Sequence, residues 1–295
     1  MFALGRPNTK STAVVITGAS TGIGAACALA LDKLGHRVFA GIRDQADGAM
    51  LTASASPRLM PVGLDVTDPA SIAAAVHTVK AMVGEQGLGG LVNNAGIAVA
   101  GPIEALPVAE WRRQFAVNIF GLVAVTQAFL PLLRQGHGRV INMGSMSGRA
   151  AVPYMAPYSA SKHALAGLTA SLRIELQPWG IHVALIEPGA IATPIWGKAR
   201  KEVDAWDSGW SREMKALYGS SFSKVKEAAS KIGAQAPSPG IVADAVIHAL
   251  RSRSPKTRYL VGRDARIRAI LVTLLPDRFH DWLLRKAIGL RSQEE

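Results

Sequence analysis

The sequence predicts an α/β fold: one doubly wound domain with helices on both faces of a seven-stranded, mainly parallel sheet. Three observations lead there. Short β-branched runs alternate with alanine-rich amphipathic stretches along the chain, and strand–helix alternation of this kind builds a parallel sheet between two helical layers. The runs are apolar without a period of two, as suits strands buried on both sides. The first run passes directly into a glycine-rich turn and then into a helical pattern.

Strands are expected at Ala13–Thr17, Arg37–Ile42, Leu59–Leu64, Gly90–Asn93, Arg139–Met143, His182–Ile186 and Arg258–Val261. Helical patterns fall between them at Gly24–Leu34, Pro69–Val83, Val108–Leu133 and Ser159–Gln177. Asp68 before Pro69 is a helix cap followed by a proline in the first turn. No linker or repeat divides residues 1–295, so one domain is expected. Two segments depart from the alternation. Residues 193–239 form a long polar insertion with aromatics, and residues 264–295 form a basic amphipathic extension.

With 49% hydrophobic and 18% charged residues, the chain is not of the disordered class. The single cysteine, Cys27, excludes a disulfide framework and a Cys-based zinc site; it reads as a small buried apolar residue on the first helix. The opening MFALGRPNTK lacks the apolar core of a signal peptide. No run of about 18 apolar residues is expected to span a membrane. A cytoplasmic location follows, with membrane association as the alternative. Of the net charge of +12, 19 basic and 11 acidic residues from Trp196 onward supply +8. These charges are spread among apolar residues without a nucleic-acid motif, so nucleic acid is not expected. An anionic membrane surface, an acidic partner or plain solvent fits them.

The strand Ala13–Thr17 runs into Gly18-Ala19-Ser20-Thr21-Gly22-Ile23-Gly24 and then a helix. Glycines permit a tight turn and close approach of backbone to a pyrophosphate, and the helix N-terminus offers free N–H groups and positive partial charge. The first two glycines are three residues apart rather than one, so the text is TGxxxGxG. Further on come Asp65-Val66, Asn93-Asn94-Ala95-Gly96, Asn118, Ser145, Tyr158 with Lys162, and Pro188-Gly189 with Thr193. This ordered set, spread over roughly Lys10 to Leu250, resembles the short-chain dehydrogenase/reductase family. In pattern it is closest to the hydroxysteroid and retinol dehydrogenase branch, through Val38–Asp44, Gly144-Ser145 and Glu187-Pro188-Gly189.

The resemblance implies a Rossmann-type NAD(P)-binding oxidoreductase acting on CH–OH groups. In it, Gly18, Ser20, Thr21, Gly22, Ile23 and Gly24 cradle the cofactor phosphates. Asp65 and Val66 meet the adenine, although Asp65 also reads as a helix cap. Asn93, Asn94, Ala95 and Gly96 lie at the sheet edge where ligands of such sheets bind, and part of this motif reads as structural. Pro188, Gly189, Ile191 and Thr193 hold the nicotinamide carboxamide.

Selectivity between cofactors is set at the end of the second strand. Ile42 stands where NAD-preferring relatives carry Asp. Arg43 follows and is suited to clamp a 2′-phosphate. NADP(H) is therefore favoured, with NAD(H) as the alternative, because Asp44 adjoins Arg43 and no basic residue occupies Ser20 or Thr21.

Tyr158 and Lys162 are four residues apart on an expected helix, which stacks them on one face. A phenol near pKa ~10 is a poor base at neutral pH, and a neighbouring ammonium favours the phenolate. Ser145, 13 residues earlier, would hydrogen-bond a substrate oxygen; Ser147 competes for that role, and family spacing favours Ser145. In relatives, the Asn at position 118 bends its helix and holds a water beside the lysine. His163 points to another helical face and reads as structural. No His/Asp/Glu cluster suggests a metal.

The substrate loop is expected at 193–239. Trp196, Trp206, Trp210, Met214, Leu217, Tyr218 and Phe222 crowd its first part, as in a lid over a bulky apolar ligand or in the packing of two short helices. The expected activity is hydride transfer between NADP(H) and a lipophilic alcohol or ketone such as a steroid or retinoid. The alternatives are a 3-oxoacyl thioester reductase and a non-catalytic NADP-binding redox sensor. The family implies a homodimer or homotetramer. The C-terminal extension fits cleft packing, an oligomer contact or peripheral membrane contact.

Overall fold

A computed structural model of the protein describes residues 11–197, 204 and 209–288. Seven strands form one sheet: β1 (Ala13–Ile16), β2 (Arg37–Ile42), β3 (Leu59–Gly63), β4 (Gly90–Asn93), β5 (Arg139–Met143), β6 (His182–Pro188) and β7 (Arg258–Val261). Their order is β3-β2-β1-β4-β5-β6-β7, and every pairing is parallel. In the centre, Val15 sits between Phe39 on β2 and Leu91 on β4. The chain order reverses at β1 and β4, and the crevice at the carboxyl ends of those strands is where such sheets take ligands.

The helices are α1 (Gly22–Lys33), α2 (Gln45–Thr52), α3 (Pro69–Val83), α4 (Val108–Phe115), α5 (Leu122–Gly136), α6 (Ala156–Glu175), α7 (Arg212–Gln235), α8 (Gly240–Arg251), α9 (Arg263–Leu274) and α10 (Asp277–Ile288). Alternate residues of each strand face opposite layers. Val14 and Ile16 pack with Leu31 of α1 and Val246 of α8. Ala13 and Val15 pack on the other face with Val79 of α3 and Phe129 of α5. Cys27 is wholly buried on α1, and burial pushes its thiol up to about 12, as an inert core residue requires.

The strand expectations hold to within one or two residues, with β6 running on to Pro188. Other elements differ. α2 follows β2 where no helix is expected. The expected helix Val108–Leu133 is divided by a π-helical segment, Ala116–Gly121, between α4 and α5. α6 begins at Ala156, earlier than Ser159, with Pro157 in its first turn. α7 is a single helix of 24 residues rather than two short ones.

Contrary to the sequence-based expectation, the stretch Val108–Gly136 is long and apolar enough to cross a membrane by length and composition. Val125, Phe129, Leu132 and Leu133 in this stretch are buried against the sheet, and core packing accounts for its apolar character.

Candidate active site

The turn after β1 is built for close backbone approach. Gly18 has φ +61°, and a Cβ there would lie 2.9 Å from Ala95 Cα. A Cβ on Gly24 would run into the Gly18 carbonyl and come within 2.6 Å of Asn94 Nδ2. Only glycine fits both positions. α1 starts at Gly22, and its N-cap Thr21 makes no side-chain capping bond. By contrast, Asp44 and Asp68 each accept a backbone N–H, from Ala46 and Ala70 at 2.9 Å, to cap α2 and α3. The uncapped, glycine-lined end of α1 is chemically suited to a pyrophosphate.

The β4 end braces this turn. Thr17 Oγ1 accepts the N–H groups of Asn94 (3.0 Å) and Ala95 (2.9 Å). Asn94 Nδ2 donates to the carbonyls of Thr17 (3.0 Å) and Gly18 (2.9 Å). Asn93 is 3% exposed and donates inward to Thr126 and Asn142, both at 2.9 Å. The two asparagine side chains thus hold strands together, while Ala95 and Gly96 carry the motif toward the crevice.

At the ends of β2 and β3, Ile42 is buried and Arg43 is exposed. Asp44 is tied down as the cap of α2, away from a competing role beside Arg43. Asp65 Oδ1 accepts both the N–H (2.8 Å) and the hydroxyl (2.7 Å) of Thr67. Burial raises this carboxyl, but the Thr67 bonds and the nearby Arg43 charge outweigh it and hold Asp65 below the usual carboxylate range. Val66 is buried beside it, so close to Gly121 that a Cβ there would lie 2.7 Å from the Val66 carbonyl.

Ser145, Tyr158 and Lys162 converge at the β5 end. Ser145 caps a 3₁₀ turn, Met146–Gly148, by accepting the Ser147 N–H at 3.1 Å. Its hydroxyl lies close enough to the Tyr158 phenol to favour the ionised form. The competing Ser147 is buried and contributes its backbone to this cap. Lys162 lies one turn after Tyr158 on α6; its Nζ donates to the Met143 carbonyl at 2.7 Å and sits 5.7 Å from the Tyr158 ring centroid.

Burial lowers Lys162 to about 8. Burial also raises the Tyr158 phenol, and the nearby Ser145 hydroxyl offsets part of that rise. The expected lowering of the phenol by the ammonium is therefore outweighed, within the protein alone, by desolvation.

Asn118 lies in the π-helical segment, where one inserted residue bends the helix. Its Oδ1 accepts the Ile97 N–H (2.9 Å), and its Nδ2 donates to the Ile97 carbonyl and to Ser161 Oγ, both at 3.1 Å. Ser161 in turn donates to the Tyr158 carbonyl at 2.7 Å. Asn118 thus braces the turn carrying Tyr158 rather than meeting Lys162 directly. His163 is exposed and bonds back to Ser159.

After β6, the Ala190 N–H donates to Asp264 Oδ2 at 2.8 Å, and the Gly189 N–H to the Val261 carbonyl at 2.9 Å. Pro188 ends β6, Ile191 is buried in the core, and Thr193 packs over Gly22. Glu187, 1% exposed, is forked by Arg149 (2.8 Å) and Arg258 (2.9 Å). This ties the turn that follows Ser145 to β6 and β7.

An aromatic cluster joins the residues before α6 to α7. Tyr154 has φ +63°, an uncommon backbone for a tyrosine. The Gly101 N–H (2.7 Å) meets its carbonyl, and Ser221 (2.6 Å) meets its hydroxyl. Its ring packs edge-on to Phe222 at 5.2 Å, and Trp210 lies 5.2 Å beyond. Tyr218 donates to Glu104 at 2.8 Å. A cavity of about 430 Å³ lies between Ala192–Gly197 and α7, lined by Thr193, Trp196, Ser230 and Gly233 among others. Trp206 falls outside the described residues. Asp264, Glu187 and Tyr154 had no place in the sequence-based site. The helix start for Asp264 and the motif edges for Glu187 and Tyr154 were the available signals.

Comparison with known proteins shows the family to which this chain belongs. A family model described as short chain dehydrogenase matches residues 12–204. A 17-beta-hydroxysteroid dehydrogenase type 6 from Bos taurus is 37% identical over 93% of this chain and 88% of its own. A retinol dehydrogenase 7 from Rattus norvegicus is 38% identical over 89% and 84%. A short chain dehydrogenase from Burkholderia cenocepacia J2315, solved in complex with NADP, superposes with TM-score 0.71 at 27% identity, covering 93% of this chain and 98% of that one. The chain belongs to the short-chain dehydrogenase/reductase family of oxidoreductases, with relatives in the hydroxysteroid and retinol dehydrogenase branch.

Proposed function

We propose that this enzyme interconverts a ketone and a secondary alcohol on a lipophilic substrate, with NADP(H) as the preferred cofactor. The observation that carries the reading is the placement of Tyr158 beside Ser145 and one helical turn before the buried Lys162, whose Nζ is 5.7 Å from the Tyr158 ring, at the same sheet edge as the glycine turn.

The residues present fit a dinucleotide. Gly18, Ser20, Thr21, Gly22, Ile23 and Gly24 hold its phosphates at the uncapped start of α1. Asp65 and Val66 would border the adenine, and Ala95 and Gly96 would line the ribose side. The turn of Pro188, Gly189, Ile191 and Thr193 would hold the carboxamide through its backbone and the Thr193 side chain, with the Ile191 side chain buried beneath in the core. Arg43 gives the 2′-phosphate a charged donor. When bound, the cofactor supplies or accepts the hydride.

The protein's own part is proton handling and orientation. Ser145 donates to the substrate oxygen and stabilises charge developing there. Tyr158, kept protonated by burial, delivers its proton to that oxygen during reduction and takes it back during oxidation. Lys162 anchors the site to Met143 and provides a proton source one helical turn away. Asn118 fixes the turn that carries both.

The aromatic cluster of Tyr154, Trp210, Tyr218 and Phe222 supports an apolar substrate. So do the names of the hydroxysteroid and retinol dehydrogenase relatives. The test is a panel of steroids, retinoids and 3-oxoacyl thioesters with NADPH and NADH, followed at the nicotinamide absorbance. Turnover of a steroid or retinoid is expected. Turnover confined to acyl thioesters would overturn the substrate class, and NADPH binding without turnover of any member would favour a redox sensor.

A further inference from the structure

The pairing of β5 with β6 ends at Met143 and Ile186, and the Gly144 N–H makes one last bond to the Ile186 carbonyl at 2.7 Å. Beyond it the two chains leave the sheet. One becomes the turn that carries Ser145, and the other becomes the Pro188-Gly189 turn. Where the backbone ladder stops, Glu187 takes over. Its side chain is 1% exposed, and each carboxylate oxygen accepts two hydrogen bonds. Oε1 accepts from Arg149 Nε (2.8 Å) and Arg258 Nη2 (2.9 Å), and Oε2 from Arg149 Nη2 (2.8 Å) and Arg258 Nε (3.1 Å).

Arg149 directly follows the Met146–Gly148 turn that Ser145 caps. The segment around Ser145 is therefore tied at both ends to consecutive residues of β6, Ile186 and Glu187. α9 closes the arrangement from the other side. Its Asp264 accepts the Ala190 N–H at 2.8 Å, while its Ala265 and Ala269 pack with Met146 and Ala150.

We propose that Glu187 is a positioning residue for the reaction: through Arg149 it holds the Ser145 turn at a fixed separation from the turn that would hold the nicotinamide. This rests on the roles given above to Ser145 and Tyr158. The sheet itself has no need of a buried ion pair, because apolar side chains of similar volume often pack as well or better. What the forked pair adds is direction, since a guanidinium bonded through two N–H groups to one carboxylate keeps a single orientation. Proton delivery at Ser145 and Tyr158 and hydride exchange with the cofactor must meet at one carbonyl group. A displacement of about 1 Å in such an arrangement costs about 10²-fold in rate. The two arginines divide the work. Arg258, at the start of β7, keeps the carboxylate neutralised, and Arg149 carries the constraint to the Ser145 turn.

The test compares the full-length wild type with Arg149→Gln, Arg258→Gln, Glu187→Gln, Ser145→Ala and Ser145→Ala/Arg149→Gln. The readouts are kcat and KM for the best ketone of the panel, the Kd for NADPH by fluorescence titration, thermal unfolding, and amide hydrogen exchange of the cofactor-free enzyme. Arg149→Gln should lower kcat by about 10–100-fold with the NADPH Kd within about threefold, and should speed exchange over residues 144–150. In the Ser145→Ala background the same substitution should cost less than about threefold more, because it acts through Ser145. Arg258→Gln should lower the unfolding temperature and keep kcat within about threefold. Glu187→Gln releases both arginines and should combine the two effects; if it does not fold, Arg149→Gln, which leaves Glu187 paired to Arg258, decides the matter.

Equal loss of kcat for Arg149→Gln and Arg258→Gln, or an undiminished loss in the Ser145→Ala background, would make the ion pair a general brace of the sheet and overturn the proposal. If Ser145→Ala loses turnover while Arg149→Gln stays within about threefold of wild type, the proposal falls and the role of Ser145 stands. Unchanged turnover of Ser145→Ala would remove that role, and the positioning of Ser145 with it.

Discussion

Arg43→Ala separates the two cofactors. Arg43 is exposed at the carboxyl end of β2, immediately after the buried Ile42. A hydrogen bond to a charged group contributes about 1.5–3 kcal/mol. Solvent screening places an exposed guanidinium at the low end of that range, and about 1.4 kcal/mol corresponds to about tenfold. The expected result is a roughly tenfold fall in kcat/KM for NADPH, with kcat/KM for NADH unchanged within about twofold.

The converse variant, Ile42→Asp, is a poor test. Ile42 is 4% exposed and packs over Gly48 of α2, so a carboxylate there costs stability whichever cofactor is present. The assay for Arg43→Ala is initial-rate kinetics with both cofactors at low salt. Equal losses for NADPH and NADH, or equal wild-type kcat/KM for the two, would refute the role given to Arg43.

Further outcomes follow from the same geometry. Gly24→Ala would force a Cβ against the Gly18 carbonyl and Asn94; a loss of about 1–3 kcal/mol in unfolding free energy and of NADPH affinity is expected in denaturant titration and fluorescence titration. Lys162 has a folded pKa of about 8, below its ordinary 10.5, so raising pH through about 8 removes its charge. Reductive kcat/KM should fall over that interval. Because the folded pKa is the lower one, the buried ammonium opposes folding below about pH 8 and this cost is relieved between about 8 and 10.5. Lys162→Met should accordingly lose activity while unfolding at a higher temperature at pH 7. Asp264→Ala leaves the Ala190 N–H without its 2.8 Å acceptor; about 1–2 kcal/mol of cofactor affinity should be lost, read as a raised Kd for NADPH.

The strands were legible because burial on both faces leaves uninterrupted apolar runs, and β2, β4, β5 and β7 begin and end where those runs do. The glycine turn was legible because each glycine answers a local steric demand. α2 was not: its eight residues include Gly48 and carry little apolar periodicity. The π-helical segment was hidden because the apolar pattern continues through Ala116–Gly121, and the partner of Asn118 within it, Ile97, is 21 residues away. Asp264 and Glu187 act on partners 74 and 38 residues distant, and no local pattern records such a pairing. Helical spacing put Tyr158 and Lys162 on one face, and α6 carries them one turn apart with the Lys162 Nζ 5.7 Å from the Tyr158 ring. The sign of the environment's effect on Tyr158 came only with its burial.

The central claim is that Tyr158 carries the proton for carbonyl reduction. Tyr158→Phe keeps the ring and removes the hydroxyl beside Ser145. General acid catalysis contributes about 10²–10⁴-fold, so kcat with NADPH and the best ketone of the panel should fall by about 10³-fold or more while the Kd for NADPH stays within about threefold. Turnover within about tenfold of wild type, with NADPH binding intact, would contradict the account.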